Sequence, residues 1–358
     1  MADWRSRSTL NDDVCFFRYA PESLERSAQE VYVWDLDKTY LDTSIESVTQ
    51  LLVTVMERAF AKKNVPGTRN LISALGLAYE KLHGQMRFPI YFITASPPQM
   101  EERISEKFAF DEIQPYGCFY KDNLRNLSPG RFWRLRRQIG YKVQALLQLR
   151  LRLSEKVRQI CWGDDSESDA IIYNLYSDIC ARRIGAQDLR GILKVLGVPS
   201  EQIDTIMLLQ SRVPENDPLE KVYINLAIDT DPDYYLKFGR RTLPTYNTFQ
   251  VALDLFQDSR LDLEGLLVVA KDMVENYGFT PDELVRSFDE LVRRHILGVT
   301  AAEKVMVFLK EKRLFYRDFV TTTQPLKETR VETGRVYELE GHFEPWIPSR
   351  IDYLHDYR

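Results

Sequence analysis

The stretch VYVWDLDKTYLDT, residues 31–43, limits more than any other what this chain can fold into. Val31, Tyr32, Val33 and Trp34 form an apolar, β-prone run without polar alternation, the pattern of a strand buried on both faces. The run ends in Asp35 and Asp37, with Thr39 and Asp42 behind them. Such a strand delivers its carboxylates to its C-terminal end, where an α/β sheet opens its crevice. Two carboxylates at i and i+2 on a tight loop suit a nucleophile beside a general acid/base.

Other segments repeat this design. FPIYFITASPPQ (88–99) reads as a second buried strand ending at Thr94. Ser96, Pro97, Pro98 and Gln99 then read as a capping box, which would set the free N–H groups of a helix beside Thr94. IQPYGCFY (113–120) reads as a third strand and EKVYINLAI (220–228) as a fifth. The fourth, in VRQICWGDDSESD (157–169), again ends in acids, Asp164 and Asp165, with Asp169 beyond. Helical periodicity covers 44–63, 68–84 and 170–211. Three further helices fit 262–276, 281–296 and 301–313, two of them opened by the boxes Thr280 to Glu283 and Thr300 to Glu303.

The expected fold is an α/β, Rossmann-like parallel sheet of about five strands with helices on both faces and a helical C-terminal extension. Residues 1–30 form an arm packed on the core and 31–258 the main domain, with a helical insertion at about 184–214. A helical region at 259–320 and a tail at 321–358, with a hairpin around Thr333 and Gly334, complete the division.

A formal charge of −5 argues against a chain that coats nucleic acid or membrane indiscriminately. No apolar run approaches the ~18 residues of a membrane span, and the N-terminus shows no secretory pattern. Cys15, Cys118, Cys161 and Cys180 are widely spaced and read as buried free thiols. These features point to the cytoplasm. Residues 121–158 depart from the average, with eleven Lys or Arg against two acids. That segment is either a solvated helix face or a landing surface for a bulky polyanion such as a lipid headgroup or nucleic acid. The surface candidates are Arg131, Arg134, Arg136 and Arg137, interleaved with Trp133. Asp229, Asp231 and Asp233 open like a calcium loop, but Tyr234 and Arg240 stand where that loop needs glycine and glutamate.

Taken together, D-x-D-x-T at Asp35, Asp37 and Thr39, the strand-ending Thr94, a lysine, and G-D-x-x-x-x-D at Gly163, Asp164 and Asp169 resemble the haloacid dehalogenase (HAD) superfamily of phosphohydrolases. The closer similarity is to the phosphatidate phosphatase catalytic domain of the actin-patch-protein type. It rests on Pro66-Gly67 between two helices, Ser96-Pro97 after the second motif, and Tyr141-Lys142 twenty-two residues before Asp164. It covers roughly residues 31–258. Lys38 departs from it, standing where that family often carries an acidic residue, and is a candidate for altering leaving-group preference.

The resemblance implies a HAD-like, Mg²⁺-dependent phosphomonoester hydrolase acting on a phosphatidate-like lipid. Asp35 would be the nucleophile, passing through an aspartyl phosphate, and Asp37 the acid/base. Asp35, Asp164 and the Asp37 carbonyl would bind the metal, with Asp169 binding it directly or through water and Asp165 as a possible substitute. Thr94, Ser96 and Lys142 would hold the phosphate, with Lys121 and Lys156 as rivals to Lys142. A polynucleotide or phosphoprotein phosphatase and a non-catalytic phosphate-binding module are the alternatives. The short spacings between motifs leave little material for a lid, so the crevice is expected to admit bulky substrates; 184–214 and 259–320 are where a helical covering would be added.

Overall fold

The computed structural model sets Glu30–Asp35, buried at every residue, in the middle of an eight-stranded sheet. It describes residues 4–42, 63–84, 87–122, 138–166, 168–325, 328–330, 337–339 and 344–355. The chain divides into two units. The first comprises Met1–Lys63, Pro89–Pro244 and Glu344–Arg358, and the second Asn64–Phe88 and Thr245–Phe343.

The sheet strands are β1 (Ser8–Asn11), β2 (Val14–Arg18), β3 (Glu30–Asp35), β4 (Ile90–Ile93), β5 (Gly117–Lys121), β6 (Arg158–Asp164), β7 (Leu219–Asn225) and β8 (Thr242–Thr245). Their order is β1-β2-β5-β4-β3-β6-β7-β8. The run β5-β4-β3-β6-β7 is parallel throughout. The expected sheet of about five parallel strands therefore needs correction: it is larger and partly antiparallel. Residues 8–18 are a hairpin, and β2 pairs antiparallel with β5. Val14 to Phe17 are all buried, and the turn before them passes through Asp12 at φ +54°. A short acidic turn leading into four apolar residues is a hairpin signal that the polar surroundings hide. β8 lies at the far edge, where Pro244 removes no ladder donor the sheet needs.

On one face of the sheet Trp34 and Trp162 stack at 4.6 Å, and Trp162 and Tyr223 at 5.0 Å. On the other, Val31, Val33, Ile93 and Cys161 pack in one core with Tyr141, Val143 and Leu146 of the helix Ile139–Arg152 and Ile172 of the helix Asp169–Cys180. All four cysteines are buried and free. The helices Ala186–Val195 and Ser200–Arg212 join that core through Leu189, Leu193, Ile203 and Ile206. The fully buried Arg241 pairs with Asp217 at 2.7 Å, and Arg183 bridges Asp217 to Asp178. Asp178 in turn accepts from the Tyr353 hydroxyl at 2.6 Å, which ties residues near the C-terminus to this unit.

The second unit contains the helices Thr68–His83, Thr248–Gln257, Leu263–Tyr277, Pro281–Arg293 and Val299–Glu311, with paired strands Glu328–Arg330 and Tyr337–Leu339. Thr280 and Glu283 form a reciprocal capping box. The second expected box does not form: Val299–Glu311 starts from Gly298, so Thr300 lies inside the helix. The expected helix over 44–63 and the turn at Thr333-Gly334 lie outside the described residues. Among the described residues no helix is long and apolar enough to cross a membrane.

Candidate active site

The pleat of β3 determines where Asp35 points. Side chains two apart share a face, so Asp35 lies on the face of Val31 and Val33, toward the helix that carries Lys142. The Lys142 ammonium is 2.9 Å from Asp35 Oδ1 and 2.6 Å from Asp169 Oδ1, with all three side chains at most 1% exposed. Asp169 opens its helix just beyond β6, and its Oδ2 accepts from the Asp164 N–H at 3.1 Å. Oxygens of Asp35, Asp164 and Asp169 all lie within 4.8 Å of one another, and all three residues are buried. Three carboxylates facing one ammonium leave an excess of negative charge away from water, an arrangement that favours a further cation. An all-oxygen donor set of this kind suits a hard divalent ion.

The loop after β3 closes tightly. Leu36 accepts from the N–H groups of Tyr40 and Leu41, and Lys38 takes φ +58°. Half-buried Asp37 accepts at Oδ2 from the Thr94 hydroxyl at 2.9 Å. The Thr94 oxygen itself accepts from the Ser96 N–H at 3.0 Å, which orients the hydroxyl proton toward Asp37. The expected capping box at Ser96 is not formed. A 3-10 turn, Pro98–Met100, intervenes, and the helix proper is Glu101–Phe110. Pro98 holds Pro97 extended at ψ 154°, which keeps the helix from starting at Ser96.

Asp164 Oδ1 accepts from both the backbone N–H (2.6 Å) and the hydroxyl of Ser166. The Asp165 carboxylate is used elsewhere, accepting from the Ala227 N–H at 2.9 Å and the Thr230 hydroxyl at 2.5 Å. It is not part of the three-acid cluster. Lys121 is buried at the end of β5, its N–H donating to the Ser96 carbonyl, while Lys156 is exposed in the turn before β6, away from the strand tips. Arg131, Arg134, Arg136 and Arg137 lie outside the described residues.

Three contributors carry no role in the sequence reading. The Tyr141 hydroxyl donates to the Thr94 carbonyl at 2.8 Å, and burial pushes this phenol well above its usual value, keeping it a donor. Ser166 follows Asp164 by two residues, and that spacing is itself the signal of an Asx turn. Gly163 is needed for space: a Cβ there would collide with the Asp169 side chain. Gly163→Ala is expected to push Asp169 off Lys142 and disperse the cluster. Divalent-ion affinity should then fall about tenfold or more and stability by about 1–3 kcal/mol. Calorimetric metal titration and a thermal melt check this, and unchanged ion affinity would refute it.

No curated protein and no solved structure matches the chain. The family model described as phosphatidate phosphatase APP1, catalytic domain, matches residues 31–190. That span includes Asp35, Asp37, Thr94, Lys142, Asp164 and Asp169. Over residues 31–190 the chain is therefore similar to that phosphatase catalytic domain.

Proposed function

We propose that the first unit is a Mg²⁺-dependent phosphomonoester phosphatase of HAD type, working through an aspartyl phosphate on Asp35, with a phosphatidate-like lipid as substrate. The observation that carries this reading is the cluster of three buried carboxylates, two of them paired with Lys142, at the ends of two adjacent parallel strands. The lipid comes from the family match, whose description names phosphatidate.

The donor set fits a divalent ion. Asp35, Asp164 and Asp169 would hold it, together with the Asp37 carbonyl that the resemblance adds. Bound there, Mg²⁺ supplies charge neutralisation to the phosphoryl oxygens. The chain's own residues do the rest. An Asp35 carboxylate oxygen attacks phosphorus while the bond to the leaving alcohol breaks. Asp37 gives that alcohol its proton, then takes one from the water that attacks the acyl phosphate. Phosphate leaves and Asp35 is restored. Thr94, oriented by Ser96, holds the Asp37 carboxylate, and Lys142 holds Asp35 and Asp169 while offsetting their charge.

Phosphate release from phosphatidate vesicles and from p-nitrophenyl phosphate tests this reading. Both should require Mg²⁺, stop in EDTA and recover when the metal is restored. Melting should also rise with Mg²⁺, by about 2.7 kcal/mol of stability at a hundredfold excess over Kd. Release from 3′-phosphorylated oligonucleotides but not from vesicles would reassign the substrate. No metal-dependent release from any phosphoester would leave a phosphate-binding module.

A further inference from the structure

Lys38 stands in a backbone conformation that does not favour it. Its φ of +58° is in the left-handed region, which glycine, asparagine and aspartate enter at least cost. The turn is held from several sides. The Lys38 N–H donates to the Leu41 carbonyl at 2.8 Å, and the Lys38 carbonyl accepts from Asn225 Nδ2 at 3.4 Å. The side chain is exposed, so packing does not account for a long cation at this corner. What it contributes is charge and reach. The ammonium lies 3.2 Å from the Ser166 hydroxyl oxygen, and that hydroxyl donates to Asp164. Among the described residues it pairs with no carboxylate. It therefore sits at the rim, one hydroxyl removed from the acid cluster and one residue from Asp37.

We propose that Lys38 is a specificity-determining residue whose ammonium binds a second anionic group, phosphate or carboxylate, carried by the leaving alcohol. The proposal rests on the phosphatase reading above and narrows its substrate class. If Asp37 protonates the leaving oxygen, the next residue along the loop faces whatever that alcohol carries. Among phosphorylated lipids this favours one with anionic oxygens beyond the scissile bond over phosphatidate, whose released alcohol is neutral. Exposed charge pairs are individually weak, and the preference should diminish with salt.

The test compares glycerol 3-phosphate, whose alcohol is neutral, with 3-phosphoglycerate and glycerol 1,3-bisphosphate, whose alcohols carry a carboxylate and a phosphate. The wild-type protein should favour the two anionic alcohols by about fivefold in kcat/KM, the scale of one exposed charge contact, and chiefly through KM. Lys38→Arg should keep the preference, Lys38→Ala remove it and Lys38→Asp invert it. The same ratio in all four proteins overturns the proposal. Equilibrium binding of the three compounds to Asp35→Asn, with and without Lys38→Ala, gives the ratio independently of turnover. A protein that hydrolyses none of them, nor phosphatidate vesicles nor p-nitrophenyl phosphate, but shows the Lys38-dependent ratio in binding sinks the phosphatase reading alone. One that binds none of them overturns the Lys38 proposal.

Discussion

Asp35→Asn should lower phosphate release by about 10⁴-fold or more, the scale seen when a nucleophile is removed, without lowering the melting temperature measured in EDTA. The two halves of this expectation have one cause. Asp35 is 1% exposed, shares Lys142 with Asp169, and stands within 4.8 Å of two further carboxylates. An amide of the same size keeps the packing and removes one of three like charges facing a single ammonium, so the metal-free fold loses repulsion as well as an ion pair. It cannot form an acyl phosphate. Acid-quenched protein incubated with labelled substrate should carry label in the wild type and none in Asp35→Asn. The rise in melting temperature with Mg²⁺ should shrink, because one ligand oxygen has lost its charge. Retained turnover would move the nucleophile to another residue, and a drop of several degrees in EDTA would mean that Asp35 stabilises the fold.

What the sequence discloses here follows from how local each signal is. The strand tips at Asp35, Thr94 and Asp164 are legible because a buried apolar run ends abruptly in a polar residue, and the pleat then decides which face that residue serves. Lys142 is less local. Ten other basic residues crowd its neighbourhood, and only its ion pairs with Asp35 and Asp169 set it apart from Lys121 and Lys156. The β1-β2 hairpin is hidden because β1 is half exposed and β2 offers only four buried residues. Pairing with β5 across about a hundred residues supplies what local pattern does not. The helix after Thr94 is misplaced because the capping reading weighs Ser96 and Gln99 over two consecutive prolines. Tyr141 and Asp165 illustrate the limit. Each spends its polar atoms on a remote partner, the Thr94 carbonyl or the 227–230 loop, which no spacing in the chain encodes.

Lys142→Met should be the most destabilising single change at the site and should separate the roles of lysine and metal. The ammonium is the counter-charge 2.9 Å from Asp35 and 2.6 Å from Asp169, and the Lys142 side chain is 1% exposed. Removing one partner of a buried ion pair costs about 3–5 kcal/mol, because the remaining charges are stranded away from water. For a chain of this size that lowers the melting temperature by roughly 10 °C. A divalent ion in the cluster replaces part of the lost charge, so Mg²⁺ should raise the melting temperature of Lys142→Met by more than it raises that of the wild type. Turnover should not return with the stability. In the proposed mechanism Lys142 would fix the direction of the Asp35 carboxylate and stand where the transferred oxygens gather charge, and loss of such a donor costs about 10²- to 10³-fold in kcat. Combining Lys142→Met with Asp35→Asn should give a loss of stability smaller than that of Lys142→Met alone, since the second change removes one of the stranded charges; that is the coupling a double-mutant cycle measures. Additive losses would mean that Lys142 serves the fold through the packing of its stem, and the three acids would then need some other source of positive charge to stay together in the metal-free protein.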